Sequence, residues 1–360
     1  MGAHADRVTG RAGADLSRLG EHWDNDDVRV RPGRRSRPRT KTRPAHADAV
    51  PGFVTAVDRG RYTCLIDQDA RTERVVTAMR ARELGRRAIA VGDRVDLVGD
   101  TSGQLDTLAR IVRIATRVSV LRRSADDSDP TERVVVANAD ALLIVVAAAD
   151  PEPRTGFIDR CLVAAYTGHL RPMLLVTKTD LRDPAPLLAA YADLDLRTMV
   201  SGRTPGSRAI DPSALAEIRD TLTGSTTALI GHSGVGKSTL VNALVPDAER
   251  ATGAVTEVGK GRHTSTSVVA LRLPGSGWIV DTPGVRSFGL AHVTADDLLE
   301  SFDDLLPATA DCPPGCDHRA DGIGCALDEL VARGDAPAGR LGSFRRLLAS
   351  RVDGAEAAGG

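Results

Sequence analysis

Three stretches of this chain place reactive residue types at spacings that do chemistry. The first is Gly231-His-Ser-Gly-Val-Gly-Lys-Ser238, which fits G-x-x-x-x-G-K-[ST]. An apolar strand-like run, Ala228-Leu-Ile230, precedes it, and Thr239-Leu-Val-Asn-Ala-Leu244 continues as a helix start. Gly231, Gly234 and Gly236 let the backbone curl tightly and approach phosphate oxygens. The exposed N–H groups of the loop, including those of His232, Ser233 and Val235, add positive potential to that of a helix N-terminus. Lys237 would reach the β- and γ-phosphates, the Ser238 hydroxyl would ligate Mg²⁺, and Thr239 completes the cradle.

The second stretch is Ile279-Val-Asp-Thr-Pro-Gly284, a D-x-x-G at a strand end. Asp281 would hold Mg²⁺ through water, and the Gly284 N–H would meet the γ-phosphate. Between the two lies Gly261-Arg-His-Thr-Ser-Thr-Ser267. A loop there needs a Thr hydroxyl to close on Mg²⁺ and the γ-phosphate; Thr264 is the first choice and Thr266 the reserve.

The third stretch is Leu174-Leu-Val-Thr-Lys-Thr-Asp180. After an apolar strand, Thr177-Lys178-Thr179-Asp180 fits the N/T-K-x-D pattern that selects guanine. The Asp180 carboxylate would pair with the guanine N1 and N2 hydrogens, and the Lys178 stem would pack on the ring. Ser201-Gly202, after Thr198-Met-Val200, would supply a backbone contact to guanine O6. Only four of 47 basic residues are Lys (Lys41, Lys178, Lys237 and Lys260), and two of them stand in these motifs. A Lys that persists in so Arg-dominated a chain marks a place where Arg will not do.

A further cluster, Cys312-Pro-Pro-Gly-Cys316-Asp-His318 with Cys325, offers three thiolates and one imidazole, a set suited to tetrahedral structural Zn²⁺. Cys64 and Cys161 stand in apolar contexts and read as core residues.

These motifs need a scaffold. The 360 residues allow two or three domains, and 42% hydrophobic residues support cores resting on Val, Leu, Ile and Ala, since aromatics are only 3%. The longest apolar run, Ala141 to Ala149, is far short of the ~20 residues that span a bilayer. No signal-peptide pattern opens the chain, so a soluble, cytoplasmic protein is expected. Residues 1–49 read as a disordered extension holding the Arg-rich run 29–43, a phosphate-backbone clamp in composition. Residues 50–115 show five short β-like runs, a pattern that suits an OB-fold barrel. Residues 116–292 alternate buried-strand runs with helical segments, among them 157–167, 187–194 and 212–222, and predict a parallel α/β sheet. Residues 293–352 read as a mainly helical zinc-binding domain and 353–360 as a disordered tail.

The base motif precedes the phosphate motifs, the reverse of the usual order. Joining the old termini and opening new ones closes the same sheet, so the order implies a circularly permuted P-loop domain.

With Ala137-Asn-Ala-Asp140, Thr177-Lys-Thr-Asp180, Gly231 to Thr239, Gly261-Arg-His-Thr264 and Asp281 to Gly289 in place, the chain resembles the circularly permuted, small-subunit-dependent GTPases (RsgA/YjeQ) over residues 50 to 345. The resemblance implies an N-terminal OB-fold, a central permuted GTPase and a C-terminal zinc domain. It also implies GTP hydrolysis coupled to late maturation of the small ribosomal subunit, with that subunit and its rRNA as partners. Two departures stand out. The family carries Asn where Thr177 stands, which predicts fewer hydrogen bonds in the guanine loop. Its C-x4-C-x-H-x5-C spacing becomes C-x3-C-x-H-x6-C here, which predicts a different loop geometry around the zinc.

Val285 occupies the position where many GTPases carry a water-orienting Gln, so basal hydrolysis is expected to be slow. The resemblance supports His263 as the water-positioning residue; a solvent-exposed loop histidine is the competing reading. A nucleotide-gated RNA-binding module with incidental turnover is the alternative function, and an ATP-dependent enzyme a third. The protein is expected to be a monomer.

Overall fold

The computed structural model describes residues 46–85, 87–124, 132–207, 209–246, 268–282, 290, 293–320, 322 and 324–351. The Arg-rich run 29–43 and the tail 353–360 lie outside them.

The chain opens with five strands: β1 (Val50–Asp58), β2 (Arg61–Ile66), β3 (Arg74–Arg80), β4 (Arg94–Gly99) and β5 (Ala109–Ile114). Pairing runs β1-β2-β3-β5-β4, and β4 returns to β1, so the five strands close a barrel. Alternate residues point inward, as the period of two requires. Val54, Tyr62, Cys64, Ile66, Val76, Ala78, Leu97 and Ile111 fill the interior. Cys64 is among them, and burial pushes its thiol up to about 12. Residues 46–49, expected in a disordered extension, turn against this barrel, with His46 Nε2 2.6 Å from Glu83 Oε1.

A hairpin follows, β6 (Val120–Ser124) with β7 (Glu132–Ala137). Then come β8 (Ala141–Ala147), α1 (Thr155–Thr167), β9 (Arg171–Thr177), α2 (Ala185–Ala189), β10 (Arg197–Ser201), α3 (Pro212–Leu222), β11 (Thr226–Ile230), α4 (Lys237–Leu244), β12 (Val269–Arg272) and β13 (Trp278–Asp281). Strands β10, β9, β8, β11 and β13 are parallel neighbours; β12 joins β13 antiparallel. β8 shows why the sheet forms. Every residue of it is buried: Leu142, Ile144 and Val146 pack with α1, and Leu143 and Val145 face the cluster of α3 and α4. Such two-sided burial is the mark of a parallel sheet under helices on both faces. α3 starts where Asp211 accepts the Ser213 and Ala214 N–H groups with Pro212 at its first position.

The C-terminal part holds α5 (Ala295–Leu299), a 3₁₀ turn at Leu306–Asp311, α6 (Ala326–Ala332) and α7 (Ala338–Ser350). α5 begins in a capping box between Thr294 and Asp297. α7 packs on α1: Arg346 Nε lies 3.4 Å from Asp159 Oδ1, and its guanidinium stacks 4.9 Å from the Tyr191 ring. Burial pushes the Asp159 carboxyl up, and Arg346 opposes that shift.

Three expectations change. The helix expected over 187–194 ends at Ala189; Tyr191 turns inward to be buried beneath Arg346, and Leu194 N–H closes a turn onto Tyr191 O at 3.1 Å. Strands β6 and β12 have no counterpart in the sequence reading. The barrel and the α/β sheet, read as separate domains, are joined among the described residues in one eleven-stranded sheet, because β1 pairs with β12 at Ala56↔Val269. Among the described residues, no helix is long and apolar enough to cross a membrane.

Candidate functional site

The phosphate loop joins β11 to α4 at the C-terminal edge of the parallel sheet, where ligand crevices of open α/β sheets form. Two glycines have a steric reason to be glycine. A Cβ on Gly231 would sit 2.2 Å from the Val145 carbonyl oxygen, and Gly236 takes φ +100° at the start of α4. The His232 ring packs 4.2 Å from the Phe157 ring at the start of α1. Lys237 Nζ folds over the loop, donating to Gly231 O and, at 3.0 Å, to His232 O. Burial lowers the Lys237 ammonium's pKa, and the nearby Asp281 carboxylate opposes it. Val235, placed in the cradle by sequence, has a buried side chain, and its carbonyl accepts the Thr177 hydroxyl. Ser233, Gly234, Ser238 and Thr239 are exposed.

Asp281 ends β13 beside the loop. Burial pushes its carboxyl up, with Lys237 opposing. Its Oδ1 is buried and has no hydrogen-bond partner among the described residues. A buried carboxylate oxygen left in this way fits a site for a divalent cation, as does the hard-oxygen chemistry of the Asp281 and Ser238 pair. Thr282 Oγ1 donates to Leu229 O at 2.5 Å, pinning the exit of β13 to the strand that feeds the phosphate loop.

The base motif ends β9, which β8 separates from the strand that feeds the phosphate loop. Thr177 is buried, its Oγ1 2.6 Å from Val235 O and 3.1 Å from Val146 O. The single Thr177 hydroxyl ties the base strand to the phosphate loop directly. Lys178, at φ +56°, extends its Nζ onto Asp150 O. Asp180 Oδ1 accepts the Arg203 N–H at 3.0 Å, and Thr179 N–H reaches Ser201 O at 3.3 Å. Gly202 lies so close that a Cβ there would meet Thr179 Oγ1 at 3.1 Å. Asp150 and Arg203 had no sequence signal beyond their turns. Both act through backbone groups, which any residue type supplies.

His263, Thr264, Thr266, Gly284 and Val285 fall in 251–267 and 283–289, outside the described residues.

The cysteine cluster does assemble. His318 Nδ1 lies 3.6 Å from Cys312 Sγ, 3.6 Å from Cys316 Sγ and 3.8 Å from Cys325 Sγ, and all four ligand atoms lie within 4.8 Å of one another. Bond lengths of about 2.3 Å to sulfur and about 2.0–2.1 Å to nitrogen, at a tetrahedral angle, put N and S about 3.6 Å apart. The altered spacing therefore still fits zinc. His318 turns at φ +59° to aim Nδ1 inward, while its carbonyl accepts Arg345 Nε–H at 3.0 Å. Burial pushes the Cys325 thiol up to about 11, a cost that thiolate–metal bonding would offset.

The RsgA GTPase family matches residues 114–291. A small ribosomal subunit biogenesis GTPase RsgA from Gemmatimonas aurantiaca is 37% identical over 282 residues, 76% of this chain and 90% of that protein. The protein of the same name from Chlorobaculum parvum is 33% identical over 313 residues, 84% of this chain and 98% of that one. Among solved structures, YjeQ from Thermotoga maritima aligns with a TM-score of 0.60 at 24% identity, covering 84% of this chain and 99% of that one. YloQ, described as a circularly permuted GTPase, gives 0.58 at 23% identity, covering 86% and 97%. These two likenesses speak to fold.

Proposed function

The chain belongs to the RsgA GTPase family, and from that premise we propose that it couples GTP hydrolysis to late maturation of the small ribosomal subunit. It binds rRNA in the GTP state and leaves after hydrolysis. The observation that carries this reading is the convergence of Gly231–Ser238, Asp281 and Thr177–Asp180 on one edge of one sheet, in permuted order.

The residues divide the work. Asp180 and Lys178 select guanine, and Ser201, Gly202 and Thr179 shape the base loop. The backbone from Gly231 to Gly236, with Lys237, holds and neutralises the phosphates. Ser238, Asp281 and Thr264 would hold Mg²⁺, which supplies charge neutralisation on the β- and γ-phosphates. The Gly284 N–H meets the γ-phosphate, and His263 orients the attacking water. One structural Zn²⁺ on Cys312, Cys316, His318 and Cys325 stiffens 293–352. The barrel (50–115) and that zinc domain flank the GTPase domain (116–292) and, with the Arg-rich extension, supply RNA contacts. The protein acts as a cytoplasmic monomer.

Co-sedimentation tests the cycle. The protein with a non-hydrolysable GTP analogue should pellet with small subunits and stay in the supernatant with GDP. Equal pelleting in both nucleotide states would remove the release step.

A further inference from the structure

β12 has only four residues and pairs with β1 at a single register position, Ala56↔Val269. Its partner on the other side is β13, where Val269 pairs with Asp281. Asp281 in turn pairs with Leu229 of β11, just before the phosphate loop. One transverse row, Ala56–Val269–Asp281–Leu229, thus runs from the barrel to the buried carboxylate of the cation site.

So short a strand needs anchoring at both ends. The far end carries Arg272. Its Nη1 donates to Glu73 Oε1 at 2.9 Å and its Nη2 to Glu73 Oε2 at 2.8 Å, a bidentate pair. Nη2 also lies 2.9 Å from Asp69 Oδ1. Both carboxylates belong to the barrel's β2–β3 connection. The same guanidinium lies 5.2 Å from the Trp278 ring centroid on β13, and Trp278 packs 5.1 Å from Phe53 of β1. Arg272 therefore touches the barrel, β12 and β13 at once. Its arginine bond is the first cause of the lowered Glu73 pKa.

We infer that Arg272 is a positioning residue for the GTPase site: it latches the barrel onto β12 and so fixes the row that presents Asp281 to Mg²⁺. The barrel is then a brace for the cation site as well as an RNA-binding module. This rests on the GTPase reading for one of its two readouts.

The experiment uses the full chain carrying Arg272→Glu, Glu73→Arg, or both, with Arg272→Lys as the mild variant. Thermal melting checks that each is folded. The first readout is amide hydrogen exchange over 268–282 in nucleotide-free protein, which needs no GTPase activity. The second is the Mg²⁺ concentration for half-maximal GTP turnover at saturating GTP. Arg272→Glu should speed exchange at 269–272 and 278–281 and raise the Mg²⁺ midpoint about three- to ten-fold. The double swap should restore most of both, and Arg272→Lys should fall between. Unchanged exchange and an unchanged midpoint in folded Arg272→Glu would overturn the inference. So would equal damage in the single and double variants, because a merely structural role gives no rescue. If the wild type turns over no GTP, the GTPase reading fails, and the exchange rescue still decides the latch.

Discussion

The Thr177 hydroxyl meets the Val235 carbonyl oxygen at 2.6 Å, joining the strand of the base motif to the loop that cradles phosphate. The two halves of the proposed nucleotide site are thereby one unit, although 58 positions separate them in the chain.

That contact predicts the effect of replacing Thr177. Thr177→Val keeps the shape but leaves the buried Val235 carbonyl without its donor, at a cost of about 1–3 kcal/mol. GDP affinity should fall about ten-fold, with a lowered melting temperature. Thr177→Asn, with an amide donor, should stay within about three-fold of wild type. Fluorescent-GDP titration checks both; no change in the Val variant would remove the tether from the account.

Asp180 predicts base choice. Its Oδ1 is held by the Arg203 N–H, which orients the carboxylate before any ligand binds. Asp180→Asn exchanges one acceptor for a donor, and two charge-assisted hydrogen bonds to guanine weaken at about 1.5–3 kcal/mol each. GTP affinity should drop about a hundred-fold or more, while xanthosine triphosphate, with a carbonyl at C2, should gain. Competition among GTP, ATP and xanthosine triphosphate is the measurement. Retained discrimination of GTP from ATP in the variant would count against the assignment.

The candidate nucleotide motifs and the Cys/His cluster stand out in the sequence because each is local. Gly231–Ser238 and Cys312–Cys325 carry their meaning in contiguous residue types, and the alternation over β1 to β5 follows from a barrel with one buried face. What stayed hidden depends on distance. Arg272 finds Glu73 across 199 positions and Arg346 finds Asp159 across 187, so neither neighbourhood holds the partner. β12 is too short for a period to register. The helix expected over 187–194 failed because Tyr191 is claimed by a tertiary contact with Arg346, which overrides local pattern. The role of Asp150 is carried by its carbonyl oxygen, which the side-chain alphabet does not encode.

Zinc predicts stability. One Zn²⁺ per chain should be found by elemental analysis of protein prepared without added chelator. Cys316→Ser should lose it and lower the melting temperature by several degrees, since metal binding free energy is folding free energy. A zinc-free wild type with the same melting temperature would contradict the structural role.

The barrel carboxylates predict an acid limb. Arg272 holds Glu73, and Arg74 holds Asp67, below the usual carboxylate range through hydrogen bonds. A lowered folded pKa gives stability that is fully present above the unfolded value, about 4, and is lost as pH falls through the folded value. The melting temperature contributed by these pairs should thus be flat near neutrality and decline below about pH 4.5. Both pairs are near the surface, so raised salt should shrink the effect. Glu73→Gln should remove part of the acid decline; an unaltered pH profile in that variant would detach it from Arg272.

Whether hydrolysis is tied to one ribosomal partner is decided by the GTPase rate of the purified protein with small subunits, large subunits or neither. Turnover should be slow alone and with large subunits, and rise about ten-fold or more with small subunits. Equal, low turnover in all three would contradict it.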